Sequence, residues 1–460
     1  MLIANFATRK TVQGKKNIFF IFFLDKAKLA CYNIRKQARY NLSKKKILTL
    51  SDHPLSPSGV GTQTKYICEA LLNTGRYSIL SLGGAIKHKD YNPVTVEQYG
   101  EDWKIIPVDG YGTPEMIRSI LRTEKPDAVW FMTDPRFWGW LWDIENEVRP
   151  LCPMVYYHVW DNYPYPYFNR NFYLSNDHVA TISKVTDDIV KTVAPEVNST
   201  YIPHAVNPDV FRPLLPSEVA KVREDTLPPE DRDKVIFFWN NRNARRKQSG
   251  TLIWWFKEWL DKMDLHDKAQ LIMHTEPKDP HGQDLEHIIN HLGLDQRQVL
   301  LSTQKLPPEH LAAMYNLADC TINISDAEGF GLATLESLSC GTPIIATMTG
   351  GLQEQVTNGT DWFGVGLQPS SKAIIGSQQV PYIYEDRTSK AQFHSALTKM
   401  YSMSKENRRD MGMKGRQHVL DNYNFVNFQR AWVDLMDDVT ENGSWETRQG
   451  YNGIRFKEIA

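Results

Sequence analysis

The sequence has little of what would place it in several specialised classes. It contains five cysteines among 460 residues, an odd number without metal-ligand spacing, which argues against a disulfide scaffold or a thiolate metal site. Its formal net charge is −1, so no overall field attracts nucleic acid. It also has no solenoid-type repeat and no low-complexity tract. We therefore expect a cytoplasmic protein with reduced cysteines and no nucleic-acid partner.

Long hydrophobic runs are missing as well. The apolar stretch at residues 18–24 is seven residues long, whereas a membrane-spanning helix needs about 20. It lies within residues 1–46, which contain twelve Lys and Arg residues but only one acidic residue, Asp25. A secretory signal is disfavoured because Asp25 and Lys26 follow the run with no small-residue cleavage site. Two interpretations stay open: a solvated extension outside the fold, or a peripheral contact with an anionic membrane surface.

What the sequence does have is the pattern of an α/β protein. Hydrophobic residues make up 41% and charged residues 23%, as in soluble globular proteins, and 460 residues suit two domains. From residue 47 onward, short runs that are apolar on both faces alternate with segments of helical period, which is typical of buried parallel strands with helical crossovers. The runs are 47–50, 79–82, 105–108, 128–132, 154–158, 179–183 and 201–203, with helices expected near 62–73, 114–123, 138–148 and 184–194.

A proline-rich, charged stretch at 207–234 interrupts this pattern and predicts a linker. The pattern then restarts, with apolar runs at 235–239, 270–274, 299–302, 321–325 and 344–347. Two such series predict two Rossmann-like, doubly wound domains that face each other across a cleft. The predicted segments are a basic extension (1–46), a first domain (47–206), the linker, a second domain (235–420) and a C-terminal helix and tail (421–460) that packs back on the first domain.

The most informative segment spans residues 325–347 and reads SDAEGFGLATLESLSCGTPIIAT. A buried strand is expected to end near its start, and the turn Gly329-Phe330-Gly331 allows backbone amides to approach a ligand closely. A helix beginning near Leu332 would offer its free N–H groups to an anion. Glu328 in the turn and Glu336 inside the helix are placed to contact different parts of one extended polyol ligand.

These features resemble the donor-binding signature of family 4 retaining glycosyltransferases, which have the GT-B architecture. The resemblance rests on Glu328, seven intervening residues, Glu336, the Gly-Phe-Gly turn and the exit Gly341-Thr342-Pro343. It implies that Glu328 contacts the donor sugar and that Glu336 binds the ribose. It also implies that the amides of Gly329, Phe330 and Gly331 contact sugar and phosphate.

A basic segment follows the strand predicted at 235–239. A departing nucleoside diphosphate gains negative charge, which fixed cations stabilise in the transition state. The family places an arginine and, five residues later, a lysine at this point, which matches Arg242 and Lys247. The family's glycine before the arginine is replaced here by Asn241.

Three further positions lie just after predicted strands of the first domain, at the edge where open parallel sheets bind ligands. Gly59 would let its loop approach the donor phosphate, and the resemblance places His158 beside the donor sugar. Asp134 is a candidate contact for the acceptor. A tight turn at Gly59 and a structural hydrogen bond at His158 are the alternatives.

The sequence predicts neither a metal nor a cofactor. The single Asp-x-Asp, Asp231-Arg232-Asp233, precedes its strand and so belongs to the opposite edge of the sheet, while Arg242, Lys247 and helix amides can balance diphosphate charge.

The predicted activity is metal-independent transfer of a hexose-type sugar from a nucleotide-diphosphate sugar to a glycan, lipid or small-molecule acceptor. Retention of anomeric configuration is implied by the resemblance. A nucleotide-sugar epimerase of the same architecture and a non-catalytic sugar-nucleotide-binding protein are the alternatives.

Overall fold

The computed structural model describes residues 44–441. The basic extension 1–46 lies outside the described residues apart from its last three, and so do the apolar run 18–24 and the tail beyond residue 441. Residues 46–441 belong to one compact unit. Within it, Cys68, Cys152, Cys320 and Cys340 are buried and form no disulfide with one another, as their apolar sequence surroundings predict.

The first half of this unit is built on an eight-stranded sheet. Its strands are β1 (Lys45–Asp52), β2 (Tyr77–Gly84), β3 (Val94–Val96), β4 (Gly100–Pro107), β5 (Ala128–Thr133), β6 (Met154–His158), β7 (His178–Thr181) and β8 (Ser199–Tyr201). They lie in the order β3-β4-β2-β1-β5-β6-β7-β8, and the edge strand β3 pairs antiparallel with β4. Every residue of β5 and β6 is buried, as expected for strands covered on both faces.

Six helices flank this sheet. They are α1 (Gly59–Leu72), α2 (Pro114–Thr123), α3 (Gly139–Trp142), α4 (Glu145–Val148), α5 (Arg170–Leu174) and α6 (Lys184–Val193), with 3-10 turns at Pro135–Phe137 and Tyr167–Asn169. Ser58, Thr113 and Ser183 cap three of them by accepting a hydrogen bond from a first-turn amide, which satisfies a backbone donor that the helix leaves free. The single helix predicted over 138–148 is two short helices, α3 and α4.

The segment predicted as a linker contains a helix, α7 (Pro216–Thr226), and a 3-10 turn at Pro229–Asp231. Pro216 occupies the first turn of α7, where its missing N–H is not needed. The amide of Leu215 donates to the Glu218 carboxylate at 2.7 Å, which closes the helix start. The proline that suggested an interruption therefore begins a helix.

The second half is built on a six-stranded sheet in which every neighbouring pair is parallel. Its strands are β9 (Val235–Asn240), β10 (Ala269–His274), β11 (Val299–Ser302), β12 (Cys320–Asn323), β13 (Ile344–Thr347) and β14 (Gly364–Leu367). Their order, β11-β10-β9-β12-β13-β14, is that of a doubly wound Rossmann-like sheet. The α/β fold class with two such sheets is confirmed.

Seven helices accompany the second sheet, and an eighth follows them. They are α8 (Ser249–Met263), α9 (Leu285–His291), α10 (Pro308–Leu317), α11 (Leu332–Ser339), α12 (Gln353–Val356), α13 (Lys390–Ser402), α14 (Lys405–Asn422) and α15 (Phe425–Glu441), with 3-10 turns at Arg245–Lys247 and Gly350–Leu352. Strands β15 (Ser371–Ile375) and β16 (Ile383–Arg387) form a separate antiparallel hairpin, which the sequence did not predict.

Helix α15 lies against α1 of the first half. Its Trp432 is fully buried and meets the rings of Trp130 and Tyr157 edge-on, at centroid distances of 5.9 and 4.7 Å. Helix α15 thus returns to the first sheet after the second sheet is complete.

In both sheets the strand order reverses beside the first strand, between β1 and β5 and between β9 and β12. Helices start on opposite sides of such a point, which leaves a crevice at the carboxyl ends of the strands. The positions singled out in the sequence follow β1, β5, β6, β9 and β12, so they lie at these edges.

Candidate active site

The loop after β12 carries Glu328 and leads into α11. Gly331 precedes the helix with a φ of 92° and no side chain caps the helix start. A Cβ on Gly331 would lie 2.5 Å from a methyl carbon of Leu352, so both the conformation and the space require glycine. An uncapped first turn of this kind is a type of site at which proteins bind anions.

Lys247 and Glu328 form an ion pair at this helix start. Their exposed fractions are only 6% and 9%. Burial alone would raise the pKa of Glu328, but the neighbouring Lys247 and Arg246 outweigh it and the pKa is lowered. Burial, and then the charge of Arg246, lowers the pKa of Lys247 to about 8. The predicted sugar-contacting glutamate and diphosphate-binding lysine thus lie together.

Arg246 is a cation of this cluster that sequence reasoning missed. Its Nη1 lies 3.8 Å from Glu328 Oε2 and also donates to the carbonyl of Ala327. Arg246 stands beside Lys247 in one basic run, so spacing alone gave no signal to prefer it over Arg242.

Arg242 lies elsewhere in this structure. Its side chain is 63% exposed and forms a two-pronged ion pair with Asp279, at 2.7 and 3.1 Å. The structure therefore brings Lys247, but not Arg242, to Glu328. The diphosphate role of Arg242 stays a prediction.

Glu336, inside α11, is linked to the end of β9. It accepts a hydrogen bond from the Tyr315 hydroxyl at 2.7 Å, and that hydroxyl accepts one from Asn240 Nδ2 at 2.8 Å. Burial raises the pKa of Glu336 to about 7. Glu328 and Glu336 thus lie at the turn before α11 and within the helix, as the sequence predicts.

Gly59 of the first half lies close to Leu332 at the start of α11. A Cβ on Gly59 would lie 2.9 Å from Leu332 Cδ1, so a larger residue here would require the Leu332 side chain to move. Ser58, the cap of α1, donates to Asp52 at the end of β1 at 2.6 Å. The amino-terminal ends of α1 and α11 therefore converge on the cleft.

Phe330 fills space rather than presenting its ring to the cleft. The ring is buried against His204 and Tyr423, at centroid distances of 5.0 and 5.7 Å. Its neighbour Gly329 has Val159 and Ile182 of the first half within 3.4 Å of a would-be Cβ. The buried ring of Phe330 leaves only its backbone for the donor contact that the resemblance implies, and that contact stays a prediction.

His158 ends β6 and has no exposed surface. Its Nδ1 and Nε2 form hydrogen bonds with the hydroxyls of Tyr156 and Tyr173, at 3.0 and 2.9 Å. Burial lowers the pKa of His158 to about 3, so the ring is neutral. The structure shows the hydrogen-bonded alternative, and a catalytic role for His158 stays a prediction.

Two carboxylates complete the first-half edge. Asp134 begins the 3-10 turn after β5 and holds Arg136 through two hydrogen bonds at 2.8 and 2.9 Å. Asp161, which sequence reasoning did not select, lies three residues beyond β6, and burial raises its pKa to about 6 against the opposing effect of Arg246. Its Cβ is 3.3 Å from a Cβ built on Gly350 of the second half. Only the three-dimensional structure reveals that Asp161 faces the second half.

Among residues 44–441, no helix is both long and apolar enough to cross a membrane.

Comparison with known proteins finds a family match mainly in the second half. Residues 221–418 match the family model for glycosyl transferases group 1. D-inositol 3-phosphate glycosyltransferase of Corynebacterium jeikeium is 33% identical over 178 residues, which cover 37% of this chain and 41% of that protein. Alpha-monoglucosyldiacylglycerol synthase of Streptococcus pneumoniae is 26% identical over 275 residues, 60% of this chain and 58% of that protein. The similarity thus spans less than two thirds of either relative.

Solved structures extend the likeness to nearly the whole described chain. Sucrose-phosphate synthase from Thermosynechococcus elongatus superposes with a TM-score of 0.69 at 18% identity, covering 86% of this chain and 99% of that one. Anabaena HepE in complex with UDP-glucose gives a TM-score of 0.63 at 15% identity, covering 85% and 99%. The chain therefore carries a glycosyltransferase group 1 domain on a GT-B fold similar to that of family 4.

Proposed function

We propose that this protein is a retaining glycosyltransferase that moves a hexose-type sugar from a nucleotide-diphosphate sugar to an acceptor. The observation that carries this proposal is the buried Lys247–Glu328 pair at the uncapped start of α11, with Arg246 beside it. A cation pair next to free helix amides suits a diphosphate, and a fixed carboxylate suits sugar hydroxyls. HepE, which shares the fold, binds UDP and UDP-glucose, so a uridine nucleotide is the first donor to test.

In this proposal, the side chains of the second half contact three parts of the donor: the diphosphate, the sugar and the ribose. Lys247 and Arg246 stabilise the departing diphosphate, and Arg242 joins them if it leaves Asp279 when donor binds. Glu328 orients the transferred sugar, and Glu336 binds the ribose. Because Glu328 is already paired with Lys247, it positions the sugar rather than attacking it, and the departing diphosphate helps to deprotonate the acceptor on the same face.

The first half receives the acceptor in this proposal. Asp134 is the candidate acceptor contact, and the backbone at Gly59 approaches the donor phosphate. The relatives' names refer to an inositol phosphate and to a diacylglycerol glycolipid. An acceptor array therefore needs small polyols, glycans and lipids.

The direct test is a donor-hydrolysis screen over nucleotide sugars, followed by an acceptor array with the best donor. Transfer with the anomeric configuration kept, measured by proton NMR of the product, supports the proposal. Conversion of donor to its epimer without acceptor would support an epimerase instead. Donor binding with neither hydrolysis nor transfer would support a binding protein.

We propose in addition that catalysis needs no divalent cation, because side chains and helix amides meet the diphosphate charge. Activity in excess chelator should match activity without it. Complete loss of activity that magnesium or manganese restores would contradict this.

Residues 1–46 are proposed to touch the membrane surface through their basic charge. A chain beginning at Ser43 should transfer sugar to a soluble acceptor, while the full chain alone should sediment with anionic vesicles, less so as salt rises. Equal sedimentation of both chains would overturn the membrane assignment without affecting the catalytic one.

A further inference from the structure

The hairpin of β15 and β16 lies outside both main sheets, yet it contacts both halves of the molecule. It joins β14 to α13 and pairs antiparallel from Ser371 opposite Arg387 to Ile375 opposite Ile383. Successive side chains of a strand point to opposite faces. A single strand, β16, can therefore direct different residues to different neighbours.

One face of β16 binds the two loops that carry the proposed donor site. Glu385 is 2% exposed and accepts two hydrogen bonds from Arg245, at 3.0 and 2.6 Å. Arg245 is the first residue of the turn that contains Arg246 and Lys247. Glu385 thus holds the cation-bearing turn.

Arg387 holds the other loop. It pairs with Asp326, which lies two residues before Glu328, and it also reaches Glu385 at 2.8 Å. The same two loops contact each other directly, because the amide of Asp326 donates to the carbonyl of Arg246 at 2.8 Å. Glu385 and Arg387 therefore hold two loops together, and the relative position of these loops determines the geometry of the Lys247–Glu328 ion pair.

The backbone of β16 is bonded to the first half. The amide of Tyr384 donates to the carbonyl of Tyr163 at 2.7 Å, and the Tyr384 carbonyl accepts from Asn162 Nδ2 at 2.7 Å. Val380, in the turn of the hairpin, is buried in the hydrophobic core of the first half. The hairpin therefore ties the segment after β6, which contains Asp161, to the donor-site loops.

We propose that Glu385 and Arg387 are positioning residues for sugar transfer. They act through Arg245 and Asp326 and fix the cation-bearing turn relative to the Glu328 loop while β16 is bonded to the first half. This inference rests on the proposed function. A displacement of about 1 Å at a reacting centre can cost on the order of a hundredfold in rate, so a brace at this place affects catalysis without touching substrate.

The test uses the full chain with Glu385→Gln, Arg387→Gln and Arg387→Lys. The stoichiometry of UDP binding, measured by calorimetry, gives the concentration of folded sites. Turnover of UDP-glucose, or of the best donor from the screen, is then divided by that concentration. We expect both glutamine variants to lower kcat about tenfold and to change UDP affinity less than about threefold, because UDP lacks the sugar that must meet both loops. Arg387→Lys should recover part of the loss, since a cation can still pair with Asp326.

Two controls separate positioning from simple loss of structure. Lys372→Ala removes the exposed ion pair between Lys372 and Asp386 in the same hairpin and should leave kcat unchanged. In a cycle of Arg245→Gln and Glu385→Gln, the double variant should be no slower than the slower single variant, because the two residues act as one unit.

If both glutamine variants keep the wild-type kcat per site while Glu328→Gln loses activity, the positioning role is overturned and the proposed function stays intact. A kcat loss in Lys372→Ala equal to that in Arg387→Gln would also overturn it, because any disturbance of the hairpin would then suffice. A wild-type protein that neither hydrolyses nor transfers any donor would overturn the proposed function and this inference with it.

Discussion

The carboxyl-end edges of the two sheets are built from different kinds of side chain. The second edge carries a cluster of three ion pairs, Lys247–Glu328, Arg387–Asp326 and Arg245–Glu385. At the first edge, tyrosine hydroxyls hold two of the polar groups, since Tyr111 donates to Asp52, and Tyr156 and Tyr173 form hydrogen bonds with His158. The ion pair described at this edge, Asp134–Arg136, joins residues two positions apart. Cations in ion pairs can share their charge with an incoming diphosphate, whereas a neutral histidine enclosed by tyrosines cannot. This difference supports the proposal that the second half binds the donor diphosphate and that the first half receives the acceptor.

Removing the central cation should have the largest effect. Lys247→Met takes away a charge aimed at the leaving diphosphate and is expected to lower turnover by about a hundredfold or more. It also strands Glu328 in a buried site, at a cost of about 3–5 kcal/mol in stability. Turnover per folded site, with folding checked by circular dichroism, measures the loss of activity separately from the loss of stability.

Two controls accompany that variant. Lys257→Met removes a partly buried lysine of α8 that pairs with Asp261, outside the proposed site, and should leave turnover unchanged. Lys247→Met combined with Glu328→Gln should regain stability without regaining activity. Near wild-type turnover in folded Lys247→Met would place the diphosphate elsewhere.

Comparing Arg246 with Arg242 sharpens the assignment within the second edge. Arg246 already lies beside Glu328, whereas Arg242 must first leave Asp279. We expect Arg246→Gln to lower turnover about tenfold more than Arg242→Gln, the scale of one charge contact in the transition state. A larger loss in Arg242→Gln would show that the position matched by family spacing is the principal cation.

The pH dependence of stability tests the first edge. The pKa of His158 in the folded protein is about 3, below the value of about 6.5 in an unfolded chain. The unfolded state therefore binds the proton first as pH falls, and the free energy of unfolding drops between about pH 6.5 and pH 3. His158→Gln should flatten this drop and lower stability at pH 7.5 by about 1–3 kcal/mol through its altered hydrogen bonds.

The matched control for that experiment is His266→Gln, because His266 lies at the surface beside Asp261. It should leave both the slope and the stability unchanged. If His158→Gln instead keeps full stability and abolishes transfer, the ring has a catalytic role that its enclosure does not reveal.

The smallest effect concerns Glu336. Because its pKa is raised to about 7, it loses its charge as pH falls from 8 to 6, and a protonated carboxyl is a weaker acceptor for ribose hydroxyls. UDP affinity should fall about two- to threefold over that range beyond the change due to UDP itself. Glu336→Gln is the control, because UDP itself titrates in the same way with both proteins while the variant lacks the carboxylate. If UDP affinity changed equally with pH in the wild type and in Glu336→Gln, the ribose contact would be contradicted.

The strand pattern and the Gly329–Gly331 turn were predictable from the sequence because burial on both faces and the steric demands of a tight turn are local. The choice between Arg242 and Arg246 could not be predicted, because both belong to one basic run. What distinguishes them is the ion pair of Arg242 with Asp279, a residue of another segment of the chain. The enclosure of His158 depends on Tyr173, fifteen residues away. The hairpin of β15 and β16 escaped detection because half-exposed, mixed side chains give no clear apolar period.

Calorimetry of UDP binding at pH 8 to Glu328→Gln and Glu336→Gln shows directly which of the two glutamates meets the ribose. If Glu336 binds the ribose, its variant should lose about tenfold in affinity, the scale of one hydrogen bond to a charged group. Glu328→Gln should bind UDP within about twofold of wild type, because Glu328 meets only the sugar that UDP lacks. Loss of UDP affinity in Glu328→Gln with full affinity in Glu336→Gln would contradict the account.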